Sequence, residues 1–354
     1  PLINTATLLQ LLYSTPPDAV GILTAKLTNP HGFGRIVRDQ QGRVIAIVEE
    51  RDATPQQRDI TEINTGIYLL PYRYLAAWLS QLKNNNEQHE FYLTDIVAMA
   101  VAEGLQVVTQ LVADVTEIAG VNSQQQLATL ERSYQKRLAD DLMNRGVKIS
   151  DPARIDIRGD IQVGSDVAID VNVILQGKVT LGDGVVIGPN VVITNSEIAA
   201  GTKILANSVV EGAYIGSDCQ IGPFARVRPG TKMHAHSKIG NFVETKSAVI
   251  DEHSKINHLS YVGDALLGKR VNIGAGVITC NFDGAAKHTT VIEDDVFVGS
   301  NCELIAPITI GKGATIGAGT TLMKDAPANA LTLTKKIITN IINWQRPIKQ
   351  KEEI

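Results

Sequence analysis

Two cationic side chains and one imidazole stand at spacings that suit phosphate binding and proton transfer. Lys246 follows Arg228 after three intervals of six positions, and His258 follows Lys246 after two more such intervals. Arginine and lysine are the side chains that proteins use to hold phosphate groups. Imidazole titrates near neutral pH and can take a proton from an amine as it attacks a carbonyl. These residues favour a site for a sugar phosphate or an acyl carrier.

Each of these residues also has a purely structural explanation. Arginine and lysine on a strand surface are usually solvated, and a single histidine is more often structural than catalytic. His258 is one of seven histidines in the chain. Glu244, close before Lys246, fits an exposed ion pair worth only ~0–1 kcal/mol. The functional interpretation therefore depends on elements that bring the residues together.

The element that would position them is a repeat of aliphatic residues at every sixth position, which we call the hexad repeat. Three runs carry it, with the period slipping by one residue before Ile198 and again before Ile215: Ile157, Val163, Ile169, Leu175, Leu181, Ile187, Ile193; then Ile198, Ile204, Val210 and Ile215, Ile221, Val227, Met233, Ile239; then Ile292, Val298, Leu304, Ile310, Ile316, Leu322. Helices repeat near 3.6 residues and strands at 2, whereas six fits one inward residue per side of a three-sided coil. A β-sandwich with coincidental spacing is the alternative. With three hexads per coil, Arg228, Lys246 and Asp264 should stack.

The chain divides into four predicted segments. Residues 1–121 alternate helices and strands, as in a doubly wound, Rossmann-like domain, but no Gly-rich phosphate loop precedes the first strands. Residues 122–146 form an amphipathic connector helix, 147–325 a parallel β-helix, and 326–354 a polar tail. Residues 279–290 interrupt the repeat and predict a protruding loop. The predicted fold class is α/β plus all-β, with the first domain only partial.

Composition limits the partners and the compartment. A net charge of −4 over 354 residues argues against binding nucleic acid through a broad basic surface. There is neither a run of ~20 apolar residues nor a signal peptide, so we expect no membrane partner. The three cysteines, Cys219, Cys280 and Cys302, lack paired metal-ligand spacing, which favours a reducing, cytoplasmic setting.

Four segments carry a family resemblance. They are 62–66 (EINTG), 221–230 (IGPFARVRPG), 240–246 (GNFVETK), and 271–276 (VNIGAG) continuing through 279–284 (TCNFDG). In these segments the chain resembles the bacterial bifunctional N-acetylglucosamine-1-phosphate uridyltransferase/glucosamine-1-phosphate acetyltransferases, over essentially its whole length. The resemblance implies a left-handed β-helix, a homotrimer with sites between subunits, and acetyl-CoA-dependent N-acetylation of glucosamine 1-phosphate. The product would feed UDP-N-acetylglucosamine, a precursor of peptidoglycan and lipopolysaccharide.

The resemblance also implies roles for individual residues. His258 matches the catalytic base. The sugar-phosphate contacts match Arg228, Lys246, Tyr261, Asn272 and Lys287, the last in a neighbouring subunit's site. The acetyl-CoA contacts match Ala275, Asn281, Phe282, Ser300, Ala318 and Lys335. Phe282 replaces the family's usual Tyr, so a hydroxyl contact is lost. Lys335 replaces the usual Arg and keeps a charge for a CoA phosphate, but it lacks the bidentate guanidinium.

In the first segment the resemblance implies the remnant of a UDP-sugar site. Gly34, Glu49, Asn64 and Asn122 match its contacts, and Asn122 also matches a Mg²⁺ ligand. The family's Gly-rich loop and its aspartate ligand would precede Pro1, and Mg²⁺ needs carboxylate anchoring. We therefore expect no uridyltransferase activity from this sequence. Two alternatives remain: a fragment of the bifunctional enzyme that also transfers UMP from UTP with Mg²⁺, and a non-catalytic β-helical sugar-binding scaffold.

Overall fold

The structure is a computed structural model that describes residues 2–335 and 338–346. The chain separates into two compact units, Pro1–Tyr134 and Gln135–Ile354. In the described part of the chain, no helix combines the length and the apolar character needed to cross a membrane.

The first unit is built on a mixed five-stranded sheet. Its strands are β1 (Val20–Lys26), β2 (Arg35–Arg38), β3 (Val44–Val48), β4 (Glu62–Leu69) and β5 (Val107–Leu111). The spatial order is β3-β2-β4-β1-β5; only β1 and β5 run parallel, and the other neighbours are antiparallel. β1 lies between β4 and β5 and is buried along all but its last residue, in keeping with its mostly apolar sequence.

Four helices accompany this sheet and agree with the predicted pattern. They are α1 (Thr5–Ser14), α2 (Pro55–Arg58), α3 (Tyr72–Gln81) and α4 (Asp95–Ala102). Trp78 of α3 and Ile96 of α4 pack with Ile22 of β1 in one core. A hairpin turn at residues 39–42 joins β2 to β3, with Gly42 in the left-handed region that its turn requires.

The predicted connector is helix α5 (Gln124–Asn144), which ends before Gly146. Near its C-terminal end, Ala139 and Leu142 are buried in the β-helix core. The Gln135 amide pairs with both backbone groups of Ile157, donating to its carbonyl at 2.9 Å and accepting from its N–H at 2.7 Å. α5 thereby satisfies backbone groups on the first coil, where an open strand edge would otherwise pair with other chains.

The second unit is the three-sided parallel β-helix that the hexad repeat predicts. The first-face strands are Lys148–Ile149, Ala168–Ile169, Val186–Ile187, Lys203–Ile204, Gln220–Ile221, Lys238–Asn241, Lys255–His258, Asn272–Ile273, Phe297–Val298, Thr315–Ile316 and Leu331–Thr332. Ile155–Val163 and Val173–Leu181 span the second and third faces. The other second-face strands are Val192–Thr194, Val209–Glu211, Arg226–Val227, Glu244–Lys246, Tyr261–Gly263, Ile278–Cys280, Glu303–Ile305 and Thr321–Leu322. The other third-face strands are Glu197–Ile198, Tyr214–Ile215, Lys232–Met233, Val249–Ile250, Ala265–Leu267, Thr290–Ile292 and Ile308–Ile310.

The aliphatic residues of the repeat form one continuous core along the axis of this unit. Ile204, Ile239 and Leu304 are fully buried, and Cys219 and Cys302 fill inward positions as small buried thiols. Each coil buries its inward residues against the next coil, so stability is shared along the stack.

The coil length differs from the predicted three hexads at one decisive place. Arg228 stacks under Lys246 as predicted, because Val227 pairs with Thr245. The next coil is one residue shorter, so Lys246 pairs with Gly263 rather than with Asp264. Asp264 instead occupies the following turn, in the left-handed region at φ 46°. The prediction of a three-coil stack of Arg228, Lys246 and Asp264 is therefore wrong by one residue.

Two other predicted boundaries shift. The protruding loop is narrower than 279–290: it is a hairpin, closed by an antiparallel bridge between Phe282 and Lys287. The β-helix extends past residue 325, because Leu331–Thr332 adds an eleventh strand to the first face. Of the predicted tail, residues 336, 337 and 347–354 lie outside the described residues.

Candidate functional site

One corner of the β-helix collects the predicted base and three of the predicted acetyl-CoA contacts. This first corner, between the first and second faces, stacks one residue per coil in the order Asn241, His258, Ala275, Ser300 and Ala318. The carbonyls of His258, Ala275 and Ser300 each accept from a backbone N–H of the next coil, at 3.3 Å, 2.8 Å and 2.8 Å. Residues that stand far apart in the sequence are thus brought into one vertical column.

Glycine makes this close stacking possible. A Cβ on Gly274 would lie 2.7 Å from the backbone nitrogen of Ser300, and one on Gly299 would lie 2.6 Å from that of Ala318. Side chains cannot approach backbone so closely, so both positions need glycine. Backbone therefore packs closely against backbone in the coils above His258.

His258 itself is exposed and is held from below. Its ring nitrogen Nδ1 lies 2.7 Å from Oδ1 of Asn241, the residue beneath it in the column. This contact leaves the other ring nitrogen, Nε2, to act on a substrate. A groove beside the ring is lined by residues of the first face and its corner: Gln220, Gly222, Pro223, Lys238, Gly240 and Asn257.

The second corner, between the second and third faces, holds three cations. Arg228 and Lys246 stack there in adjacent coils, and Lys287 of the hairpin reaches Lys246 within the same chain. The pKa of Lys246 is lowered, first by the neighbouring Lys287 and then by Arg228, because like charges disfavour one another. An anion bound among them would relieve that repulsion. The resemblance had implied that Lys287 serves a neighbouring subunit.

Glu244 pairs differently from the expected contact with Lys246. Its Oε1 accepts from Nη1 of Arg228 at 2.7 Å. The pair is half-exposed, so the carboxylate orients the guanidinium more than it neutralises it. Arg228 keeps further N–H groups for a ligand, since guanidinium carries five donors.

Tyr261 connects the two corners along the second face. The phenol end of its side chain lies over Gly263, as shown by the 2.4 Å that would separate a Cβ at Gly263 from the phenol oxygen. Tyr261 is close to the first corner, and Gly263 is level with Lys246 at the second. Two residues of strand span roughly 7 Å. Asn272 lies around the corner on the first face, half-buried between Lys255 and Phe297 of neighbouring coils.

The remaining acetyl-CoA candidates are not in the first corner. Asn281 donates from Nδ2 to the carboxylate of Asp264, which ties the hairpin to the second corner. Phe282 is exposed on the hairpin, opposite Lys287. Lys335 follows the last first-face strand and is exposed. In a single chain the predicted coenzyme contacts thus lie in three places: the first corner, the hairpin, and the segment after the last first-face strand.

In the first unit the structure joins three of the four predicted UDP-sugar contacts. A Cβ on Gly34 would lie 3.2 Å from the Glu49 carboxylate, and the Asn64 backbone N–H donates to Gly34 at 2.8 Å. Burial raises the pKa of Glu49, although the Thr94 hydroxyl at 3.3 Å offsets part of this. Burial also raises the pKa of Tyr68, which bonds to Asn64, to about 12.

Asn122, the fourth predicted contact and the proposed metal ligand, lies just before α5. Its backbone N–H donates to Oε1 of Gln126 at 2.7 Å, and the Ser123 hydroxyl accepts from the Gln126 backbone N–H, so the segment serves the helix start. Within the described ranges, no group of three or more His, Cys, Asp or Glu residues could hold a metal ion. One neutral amide oxygen does not match the carboxylate-rich ligand sets of Mg²⁺.

Sequence reasoning missed Asn241, Tyr68 and Thr94. Asn241 lay within a segment that carries the resemblance, and a coil one residue short of three hexads places it directly under His258. Tyr68 and Thr94 had no comparable signal, because β4 and α4 meet Glu49 only through the tertiary fold.

Comparisons with known proteins agree with this two-part architecture. A nucleotidyl transferase family model matches residues 13–137, a GMPPB C-terminal domain model matches 157–233, and a hexapeptide repeat of succinyl-transferase model matches 289–324. The chain is 53% identical to the bifunctional protein GlmU of Azoarcus sp. over 99% of its own length and 78% of that protein. It is 54% identical to the bifunctional protein GlmU of Janthinobacterium sp. at the same two coverages. Sequence identity above 50% over nearly the whole chain shows that this protein belongs to the family of bifunctional GlmU proteins.

Proposed function

We propose that this protein transfers the acetyl group of acetyl-CoA to the amino group of glucosamine 1-phosphate. The observation that supports this most is that the proposed base and the proposed phosphate-binding cations lie at opposite corners of the second face of the β-helix. An exposed imidazole lies at one corner, three cations lie at the other, and Tyr261 lies between them. A sugar phosphate laid across this face would place its phosphate on the cations and its amine towards His258.

The reaction follows from these positions as a direct attack. The amine nitrogen forms a bond to the thioester carbonyl carbon while Nε2 of His258 takes a proton from that nitrogen. The C–S bond then breaks, and His258 passes the proton from Nε2 to the departing CoA thiolate. A backbone N–H at Ala275 or Ser300, in the column above His258, would stabilise the oxyanion by about 3 kcal/mol. Arg228 and Lys246 hold the phosphate and so aim the amine.

A second activity is favoured by the first unit, against the expectation from the sequence. Gly34, Glu49 and Asn64 lie together, and they match the family's UDP-sugar contacts. We propose that they form part of a site for the transfer of UMP from UTP to N-acetylglucosamine 1-phosphate. The described residues assign no ligand set to the Mg²⁺ that such a transfer uses.

One paired assay tests both activities and the scaffold alternative. The same preparation is given acetyl-CoA with glucosamine 1-phosphate, and separately UTP with N-acetylglucosamine 1-phosphate and Mg²⁺. Free CoA thiol in the first mixture supports acetyl transfer, and pyrophosphate in the second supports uridyl transfer. A folded protein that binds the sugar phosphate but releases no thiol would contradict the proposed acetyltransferase and favour a scaffold. The expected cytoplasmic location would be tested by fractionation.

We further propose that the protein assembles as a homotrimer. In one chain Phe282 and Lys335 lie away from the column of His258, Ala275 and Ser300, and neighbouring subunits would bring such residues to one coenzyme. Flat β-helix faces suit this packing. We expect sedimentation equilibrium to give three times the chain mass of 38.1 kDa. A monomer at assay concentrations that retains full activity would contradict the proposal.

The contact between Tyr261 and Gly263 gives a specific prediction. In Gly263→Ala, the new methyl group would push the phenol off the second face, since it would lie 2.4 Å from the hydroxyl oxygen. We expect the KM for glucosamine 1-phosphate to rise about 5-fold, in line with a lost hydrogen bond of roughly 1 kcal/mol. In a Tyr261→Ala background the same substitution should change KM little, because its effect acts through the tyrosine. Additive effects of the two substitutions would show that Gly263 acts by another route.

A further inference from the structure

Asn241 is the residue of the first corner to which neither the sequence motifs nor the family comparisons assign a role. Its side chain is half-buried directly beneath His258, and its backbone carbonyl accepts from the N–H of Leu259 at 3.1 Å. The two side chains therefore stand in register on adjacent coils. Neighbouring parallel strands are about 4.8 Å apart, which leaves an amide and an imidazole no room for an intervening group.

The local backbone is altered to make this pairing. Most first-face strands have two residues, but Lys238–Asn241 and Lys255–His258 have four, and their last pair is Asn241 with His258. The extension requires Gly240, since a Cβ at that position would lie 1.9 Å from the carbonyl oxygen of Asn257. The chain thus gives up a side chain at residue 240 to hold Asn241 against the ring.

We infer that Asn241 is a positioning residue that fixes the tautomer of His258. Its Oδ1 lies 2.7 Å from Nδ1 and, as an amide oxygen, can only accept. Nδ1 must therefore carry the proton, and Nε2 keeps a lone pair directed to the substrate. This inference rests on the proposed function, because only a general base needs that lone pair on Nε2. Without a partner, neutral histidine mainly protonates Nε2, which is the unproductive form.

The backbone around the ring supports the same assignment. The Ser260 hydroxyl lies 2.8 Å from the His258 carbonyl and 3.1 Å from the Gly274 carbonyl, so the strand end is held on the side of the next coil as well. Asn241 supplies the side-chain contact. A ring held at one nitrogen and along its backbone loses little freedom when substrate binds.

Two substitutions separate tautomer control from simple packing. In Asn241→Ala we expect kcat to fall on the order of 10-fold, by analogy with the partners that orient metal-ligating histidines, with unchanged KM for acetyl-CoA. In Asn241→Asp the acceptor is kept and gains a charge that stabilises the imidazolium. Activity should then largely return, while the acidic limb of the kcat/KM profile moves to higher pH. Asn207→Gly is the control, because it removes an amide from the same corner two coils earlier, where the positive φ suits glycine. This substitution should leave kcat and the pH profile of kcat/KM unchanged.

The deciding measurement does not depend on activity. Long-range ¹⁵N–¹H correlation spectra of histidine-labelled full-length protein at alkaline pH report which ring nitrogen is protonated. We expect Nδ1–H for His258 in the unsubstituted protein and in Asn241→Asp, and mainly Nε2–H in Asn241→Ala. An Nε2–H ring in the unsubstituted protein, or an unchanged tautomer in Asn241→Ala, would overturn the assignment. If no acetyl transfer is found, the proposed function fails, whereas these spectra still test Asn241.

Discussion

Replacing His258 with alanine should abolish most acetyl transfer while leaving coenzyme binding intact. General-base catalysis contributes about 10²–10⁴-fold to a rate, and no other imidazole stands in the first corner within the described residues. We expect kcat to fall by that factor in the thiol-release assay. Because the ring is exposed and lies outside the buried core, the free energy of unfolding should change by less than about 1 kcal/mol.

The design of this experiment separates catalysis from folding. His253→Ala is a matched control, since it removes an exposed histidine from the preceding turn, stacked on His236 and remote from the first corner. Its kcat should stay near that of the unsubstituted protein, and both variants should bind acetyl-CoA with unchanged Kd in calorimetry. A His258→Ala protein with near-normal turnover would refute the role of this residue. Equal losses in both variants would point to a general structural defect.

Replacing either stacked cation should weaken the sugar phosphate far more than the coenzyme. A hydrogen bond to a charged group contributes about 1.5–3 kcal/mol, so Arg228→Met and Lys246→Met should each raise the KM for glucosamine 1-phosphate by roughly 10- to 100-fold. Methionine keeps most of the length of the side chain and removes its charge. The KM for acetyl-CoA should change little, because three of its six predicted contacts, Ala275, Ser300 and Ala318, lie at the other corner and neither cation is among the six.

Three controls make this prediction specific. Lys203→Met removes an exposed lysine from the first face two coils before the groove residue Lys238, and should leave both KM values unchanged. Glucosamine, which lacks the phosphate, should be acetylated at the same rate by the unsubstituted protein and by the two methionine variants. Glu244→Gln releases Arg228 from its ion pair and should not raise the KM. If Arg228→Met and Lys246→Met instead lower kcat at unchanged KM, the cations act in the transition state and not on the bound phosphate.

Much of the fold was predictable because burial leaves a direct trace in the sequence. The inward residues of each coil, such as Ile204 and Leu304, recur at every sixth position, and the structure buries them fully. The same holds for β1, whose mostly apolar sequence belongs to a strand buried along all but its last residue. A periodic core therefore identifies the architecture without any knowledge of contacts.

Predictions that required an exact register were less successful. A coil one residue shorter than three hexads leaves the inward pattern nearly intact, yet it moves Asp264 off the stack and puts Gly263 above Lys246. Glu244 turned to Arg228 in the coil below instead of to Lys246 on its own strand. Side-chain partners and coil register depend on distances between neighbouring coils, and the hydrophobic period of the sequence does not report those distances.

The sequence by itself determined the three-sided coil, the α/β first unit and the identity of the groups able to do chemistry, since residue type and hydrophobic period are properties of the chain alone. Only the tertiary structure decided which of those groups meet. It placed Asn241 under His258, and it brought Lys287 to Lys246 by way of a hairpin. It also laid Tyr261 over Gly263. The physical reason is that hydrogen bonds and charge repulsion act over a few ångströms between neighbouring coils, and the register of stacking sets those distances.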